Sequence, residues 1–282
     1  MDSPFQGSTN QAYRTFRADM QQVESRPLAG GVVALLSRPA PGKNTPNEDV
    51  AAVLPLSADQ GVLIVADGVG GHASGEMAAL LAVEHVEQSL AQLTGVQDDP
   101  LDGDQMRFAI LNGFESANQA ILELGTGAAT TLCVVEIQAS VIRAYHVGDS
   151  AICLIGQRGK IKLQTIAHSP VGYAIEAGVI DEADAMHHEH RHVISNVLGS
   201  EEMRIDIGPP IRMSARDTLL LATDGLFDNL LMDEIVQRIR KGPLVEAVER
   251  LTTDAWRRMQ SESTGASPSK PDDLTVLAFR RH

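Results

Sequence analysis

The chain has 282 residues, of which 43% are hydrophobic and only 4% aromatic, so it can bury a large core built mainly from Leu, Val, Ile and Ala. Its formal net charge of −14 argues against binding to nucleic acid or to anionic membranes, because those surfaces are also negative. No stretch reaches the roughly 18 consecutive apolar residues of a membrane span, and residues 1–26 lack the apolar segment of a signal peptide, so we expect a cytoplasmic protein.

The first half of the chain places short apolar runs before two long helices. Residues 1–28 have weak periodicity, and we expect an N-terminal extension there, with the folded domain over 29–282. Strands are predicted at 31–36, 50–56 and 61–66, the last a continuous apolar run typical of a buried strand. Apolar residues at helical spacing then predict one helix from near Ser74 and a second around Phe108.

The second half of the chain is rich in strands with short connections, which indicates antiparallel neighbours. Strands are predicted at 130–137, 141–147, 151–155, 160–166, 218–222 and 274–279. Helices are predicted at about 233–240 and 244–259, and a His-rich segment with little core character covers 169–199. This order favours stacked antiparallel sheets with helices outside them over a regular βαβ winding.

The two cysteines, Cys133 and Cys153, both lie within apolar strand-like runs. Neither a CxxC spacing nor a Cys/His zinc pattern includes them. We therefore expect two reduced thiols in the core.

Acidic residues occur at four strand boundaries: Asn47-Glu48-Asp49, Asp67-Gly68, Asp224-Gly225 and Asp272-Asp273. A carboxylate at the tip of a buried strand is partly desolvated, and several together are costly unless a cation compensates them. Oxygen ligands of this kind suit Mg²⁺ or Mn²⁺. Each motif alone is also an ordinary turn, and spacing does not show that the four converge.

Five segments resemble, in order, the motifs of bacterial phosphatases of the PP2C (PPM) family. They are 47–49, 65–76 (VADGVGGHASGE), 147–150 (VGDS), 221–226 (LATDGL) and 272–276 (DDLTV). The resemblance spans residues ~30–280, and any one motif alone would be weak support. It implies an α+β, four-layer α-β-β-α sandwich of two stacked antiparallel β-sheets flanked by helices, with a binuclear Mn²⁺ or Mg²⁺ centre at one end.

The resemblance carries seven metal-ligand positions over to this chain: Glu48, Asp49, Asp67, Gly68, Asp149, Asp224 and Asp272. It implies that Asp67 bridges both ions and that Asp224 and Asp272 ligate one of them, so these three are the expected catalytic acids. Gly68 is implied to offer its carbonyl, and Glu48 and Asp49 are implied to serve the other ion, partly through waters. Asp149 is implied to help hold a weaker third ion with Asp224. Asp273 stands where the family has an Asn.

The implied reaction is hydrolysis of phosphoserine and phosphothreonine in proteins. A water or hydroxide bridging two cations has a depressed pKa and attacks phosphorus in line, while the ions neutralise the phosphoryl oxygens. The expected partners are phosphorylated Ser/Thr proteins, with a cognate Ser/Thr kinase or its targets. Two alternatives stay open: a non-catalytic regulatory module of the same fold, and a metal-dependent phosphatase of a small phosphorylated molecule.

The chain departs from the family pattern at its substrate contacts. Asn44 stands where many members have a phosphate-binding Arg, so the adjacent Lys43 is a candidate phosphate contact, although without bidentate geometry. His72 is a second candidate substrate contact or acid.

The His-rich residues 186–192 could suggest a zinc site, but their position matches the mobile flap of the family, which we place at about 169–199.

Overall fold

The computed structural model describes residues 11–69, 73–94, 101–261 and 269–281. The strands in these ranges are β1 (Tyr13–Arg14), β2 (Glu24–Leu28), β3 (Gly31–Arg38), β4 (Val50–Pro55), β5 (Gln60–Ala66), β6 (Gly68–Val69), β7 (Ala129–Thr130), β8 (Leu132–Gln138), β9 (Val141–Val147), β10 (Ala151–Ile155), β11 (Ile161–Gln164), β12 (Asp206–Ile207), β13 (Ile211–Arg212), β14 (Thr218–Ala222) and β15 (Leu274–Arg281). The helices are α1 (Ala73–Thr94), α2 (Gly103–Glu123), α3 (Pro170–Glu176), α4 (Glu182–Ala185), α5 (Asp224–Phe227), α6 (Met232–Ile239) and α7 (Leu244–Gln260).

Two antiparallel sheets form the centre of the fold. The first has the order β1-β4-β5-β8-β9-β12, with β13 also paired to β9, and the second has the order β11-β10-β14-β15-β3-β2. Side chains alternate between the faces of each strand, so in β4 Val50 and Ala52 pack toward helices α1 and α2, while Ala51 and Val53 pack toward the second sheet. Because both faces are covered, the central strands are almost wholly apolar.

The helices cover the two outer faces. Helices α1 and α2 pack on the first sheet, and α6 and α7 pack on the second. Helix α2 begins with a capping box, in which the Asp102 carboxylate accepts from the backbone N–H of Gln105 and the Gln105 side chain accepts from the backbone N–H of Asp102. The predicted four-layer α-β-β-α sandwich is confirmed.

The N-terminal boundary predicted at residue 28 is wrong for the described residues. Strand β2 pairs with β3 along its whole length, and β1 pairs with β4, so residues 13–28 belong to the sandwich. Strand β2 lies at a sheet edge, where Pro and charged residues are tolerated, and it buries only Leu28 fully. Apolar periodicity is weak there for that reason. Residues 1–10 lie outside the described part.

Two expectations from composition have clear outcomes. Cys133 and Cys153 are both free and buried, as expected for core thiols. Among the described helices, none combines the length and the apolar character needed to cross a membrane.

Candidate metal centre

Asp67 directly follows strand β5, where the main chain is fixed by two threonines. Its backbone N–H donates to Thr131 Oγ1 at 3.0 Å. Its carbonyl accepts from Thr130 Oγ1 at 2.8 Å and from the backbone N–H of Thr131 at 2.9 Å. These bonds hold the Asp67 backbone, and therefore the origin of its side chain, against the first sheet.

Asp224 and Asp272 meet because β14 and β15 are antiparallel neighbours. Asp224 follows the end of β14 and Asp272 precedes the start of β15, so both lie at the same edge of the second sheet. Thr223 connects this edge to the other sheet: its hydroxyl donates to Asp49 Oδ2 at 2.9 Å and accepts from the backbone N–H of Thr275 at 3.1 Å. The sandwich thus brings carboxylates of both sheets to one end.

Burial among other carboxylates raises the pKa values of Asp67 and Asp149. Burial and then the negative charges of Asp49, Asp224, Asp272 and Asp149 raise the pKa of Asp67 well above its ordinary value. Burial, followed by Asp224 and Asp228, raises the pKa of Asp149 to about 8. The neighbouring negative charges disfavour ionisation of Asp67 and Asp149, as expected for a site that binds cations.

Four buried carboxylate oxygens have no hydrogen-bond partner: Glu48 Oε1, Asp49 Oδ1, Asp149 Oδ1 and Asp224 Oδ1. A buried charged oxygen without a partner is unfavourable unless a cation faces it. All four belong to predicted ligand positions. Their donor chemistry, oxygen alone, fits hard divalent cations such as Mn²⁺ and Mg²⁺.

Gly75 keeps space open beside Glu48 and Gly68. A Cβ at Gly75 would lie 2.9 Å from both Glu48 Oε1 and the Gly68 carbonyl oxygen. A Cβ at Gly68 would in turn lie 2.3 Å from the Gly75 carbonyl oxygen. The two glycines therefore permit a close approach that leaves two predicted ligand oxygens side by side.

The predicted acidic ligands surround a region instead of converging on one point. Within the described ranges, the ligand atoms of only one trio, His146, His168 and Asp206, all lie within 4.8 Å of one another. The acids repel one another, and a set shared between two ions is more widely spaced than the shell of one ion.

The histidine trio is arranged for hydrogen bonding and not for metal binding. His168 Nδ1 accepts from the backbone N–H of Gly148 at 3.1 Å and from Asn196 Nδ2 at 2.9 Å, so its proton is on Nε2, which donates to Asp206 at 3.0 Å. The backbone of Arg204 orients the Asn196 side chain. Asn196 Oδ1 accepts from the backbone N–H of Arg204, and Asn196 Nδ2 donates to the Arg204 carbonyl oxygen. Burial holds the pKa of His146 down to about 3, so that ring stays neutral.

Lys43 lies at the edge of the centre, where two carboxylates bind its ammonium. Its ammonium is 2.8 Å from Glu48 Oε2 and 2.7 Å from Asp273 Oδ2. Asp273 also accepts from the backbone N–H groups of Ala40 and Glu48, so it is a buried structural acid that orders the segment carrying Glu48. His72, the other candidate substrate contact, lies outside the described residues.

Sequence reasoning missed two members of the site, Lys270 and Asp228. The Lys270 ammonium contacts the carboxylates of Asp224, Asp228 and Asp272. The only sequence signals were the position of Lys270, two residues before Asp272, and that of Asp228, one helical turn after Asp224.

The segment 169–199, which we call the flap, contains α3 and α4 and borders a cavity of about 350 Å³. Asp149, Asp224 and Asp228 line this cavity, and Arg191 lines it from the flap. The cavity thus borders the acidic cluster, the name we give to Glu48, Asp49, Asp67, Asp149, Asp224 and Asp272. His187, His190 and His192 are exposed. Among the described residues, no three side chains of the segment 186–192 bring their ligand atoms within 4.8 Å of one another, as a zinc site would require. The mobility expected for the flap stays a prediction.

Replacing Gly225 with Ala should destabilise the edge of the second sheet that carries Asp224 and Asp272. The new Cβ would lie 2.0 Å from the backbone oxygen of Asp273, so the backbone must shift, at a cost of about 2–3 kcal/mol. Thermal unfolding measures the loss. Gly103→Ala is the matched control, because its Cβ would meet nothing closer than 3.5 Å, and it should change stability by less than about 1 kcal/mol. Equal melting temperatures for both variants would contradict this packing.

The stability of the chelator-treated protein should fall as pH rises. Folding raises the pKa of Asp228 to about 6, of Asp272 to about 7 and of Asp149 to about 8, chiefly through burial and, for all three, the charge of Asp224. The folded state therefore binds more protons than the unfolded state between about pH 4 and pH 8, and stability is lost across that window. We expect the melting temperature to drop by several degrees between pH 5 and pH 8. A rise over this range would contradict the clustering.

A family model described as protein phosphatase 2C matches residues 40–269, which include every predicted ligand position except Asp272. Protein phosphatase PhpP of Streptococcus pneumoniae is 32% identical over 217 residues, covering 74% of this chain and 85% of that protein. The S. agalactiae serine/threonine phosphatase has 26% identity, a TM-score of 0.73 and coverage of 89% of this chain and 99% of its own. The catalytic domain of the serine/threonine protein phosphatase PstP in complex with two manganese ions has 26% identity, a TM-score of 0.66 and coverage of 88% and 96%.

Proposed function

Because this chain belongs to the protein phosphatase 2C family and is a serine/threonine protein phosphatase dependent on divalent metal, we propose that its acidic cluster holds two such ions. The proposed ligands are Asp67, between the two ions, with Asp224 and Asp272 on one side and Glu48, Asp49 and the Gly68 carbonyl on the other. The observation that carries this proposal is that three of these ligands, Glu48, Asp49 and Asp224, each have a buried carboxylate oxygen without a hydrogen-bond partner. Mn²⁺ and Mg²⁺ are the proposed ions, because every ligand is an oxygen.

The residues of the chain have separate tasks in this proposal. When bound, two divalent cations neutralise charge on a phosphoryl group and lower the pKa of water at the centre. The threonines around Asp67 fix the backbone from which its carboxylate extends, and Thr223 holds Asp49 against the second sheet. Lys43, beside Glu48, adds a positive charge at the edge of the cluster, where we place the substrate phosphate.

The proposed substrates are phosphoserine and phosphothreonine in proteins, and a Ser/Thr kinase or its targets are the proposed partners. Two of the similar structures, the S. agalactiae enzyme and PstP, are serine/threonine phosphatases by name. We place the protein in the cytoplasm, on the support of two free, buried cysteines, which are typical of a reducing compartment.

Hydrolysis of a phosphothreonine peptide, a phosphotyrosine peptide and p-nitrophenyl phosphate tests this proposal, with Mn²⁺ and with chelator. We expect turnover of the phosphothreonine peptide that depends on Mn²⁺. The small phosphate serves to separate the substrate classes, because a preference for it over the phosphothreonine peptide would point to a small-molecule phosphatase. Absence of turnover with Mn²⁺ present would contradict phosphatase function altogether.

A further inference from the structure

Lys270 places a positive charge among the proposed metal ligands. Its ammonium lies 2.5 Å from Asp224 Oδ2, 2.7 Å from Asp228 Oδ2 and 3.3 Å from Asp272 Oδ2. Two of these three acids are proposed ligands, and the lysine side chain is only 20% exposed. A single ammonium thus compensates three carboxylates at the side of the centre that faces the flap cavity.

The backbone of Lys270 is held in this position by a buried amide. Asn229, which is 0% exposed, accepts from the backbone N–H of Lys270 at 2.9 Å. It also donates to the carbonyl oxygens of Lys270 and Gly225, at 2.8 and 3.0 Å. Because Asn229 bonds both Lys270 and Gly225, it fixes the lysine relative to Asp224. The contact is therefore built into the fold and differs from the chance pairing of a surface lysine.

The ammonium uses one of the two oxygens of Asp224. Asp224 Oδ2 is bound to Lys270, whereas Asp224 Oδ1 is buried without a hydrogen-bond partner and is left for a metal ion. The family resemblance implies two tasks for Asp224: to ligate one ion together with Asp67 and Asp272, and to hold a weaker third ion together with Asp149. With Oδ2 occupied by a cation of the chain itself, only the first task remains.

We propose that Lys270 is a resident cation that replaces the third divalent ion, so that the centre binds two ions and no more. The inference rests on the proposed function, because it assigns Asp224 as a ligand of that centre. The proposal also explains why Asp228 lies in the site although it is not a proposed ligand of the two ions: its carboxylate is a second partner of the Lys270 ammonium. The charge of the ammonium disfavours a further divalent ion on the side of Asp224 that Lys270 occupies.

Counting bound Mn²⁺ tests the proposal. The full-length protein is freed of metal with chelator, dialysed and titrated with Mn²⁺ to millimolar free concentration, and electron paramagnetic resonance measures the free ion. We expect two bound ions in the wild type and three in Lys270→Met. The two shared sites of that variant should also bind Mn²⁺ about tenfold more tightly, since a neighbouring positive charge is gone. Lys270→Arg keeps the charge and should bind two.

Lys162→Met is the matched control, because Lys162 pairs with the buried Asp217 at 2.6 Å, at the opposite end of β14 from Asp224. It should bind two ions.

Three bound ions in the wild type would overturn the proposal, and so would two bound ions in a folded Lys270→Met variant. The wild-type count decides the matter if that variant does not fold. Peptide hydrolysis by the same preparation is read separately: an active wild type with three ions defeats only the lysine inference, and an inactive one with two defeats only the proposed function.

Discussion

Asp67→Asn is expected to lower phosphatase turnover by about 10³-fold or more and to remove tight Mn²⁺ binding. Asp67 is the proposed ligand of both ions, and an amide offers one neutral oxygen where a carboxylate offers two charged ones. Loss of that much activity corresponds to about 4 kcal/mol of transition-state stabilisation. Turnover of p-nitrophenyl phosphate and Mn²⁺ titration measure the two effects. The fold should survive, since replacing Asp67 removes one of several mutually repelling charges.

Asp217→Asn is the matched control for this change. Asp217 is also a buried acid, but it pairs with Lys162 and accepts from the backbone N–H of Ser214, at the far end of β14 from the cluster. We expect this variant to lose stability and to keep its Mn²⁺ affinity and turnover. Wild-type turnover in Asp67→Asn, or an equal loss of Mn²⁺ binding in Asp217→Asn, would mean that Asp67 is not a ligand.

The adjacent acids Asp272 and Asp273 should respond in opposite ways to the same substitution. Asp272→Asn should weaken Mn²⁺ binding by at least about 100-fold, because it removes a proposed ligand. Asp273→Asn should retain both ions and instead lose about 1–3 kcal/mol of stability. Its carboxylate accepts from two backbone N–H groups and from Lys43, and an amide can accept only through one of its two atoms.

Mn²⁺ titration and thermal unfolding of both variants separate these roles. Each variant is the control for the other, since the residues are neighbours in the chain and the chemical change is identical. If Asp273→Asn lost the metal and Asp272→Asn kept it, the assignment of the ligand to the first acid of the pair would be reversed.

The strands predicted most accurately from the sequence are those covered on both faces. Strands β5, β9, β10 and β14 begin and end within one residue of the predicted ranges, because covered strands are continuous apolar runs bounded by turns. Strands β1, β2, β12 and β13 were missed. They are short, lie at sheet edges and bury few side chains, so their position depends on pairing with a neighbour and not on their own composition.

The acidic cluster could be predicted in part for a similar reason. Each carboxylate sits at the end of a recognisable strand, and the family resemblance supplied the expectation that these ends meet. Lys270 could not be found in this way, because a lysine in a Ser/Pro-rich loop resembles any solvated lysine. Its role depends on Asn229, which is 41 residues away in the chain and comes close only through the pairing of β14 with β15.

Anomalous diffraction from crystals grown with Mn²⁺ is the most direct test of the two-ion centre. We expect two peaks, both in contact with the Asp67 carboxylate, one also contacting Asp224 and Asp272 and the other near Glu48 and the Gly68 carbonyl. The Lys270 ammonium should remain on Asp224 Oδ2. Absence of a peak at Asp67, or a single peak among His146, His168 and Asp206, would contradict the account.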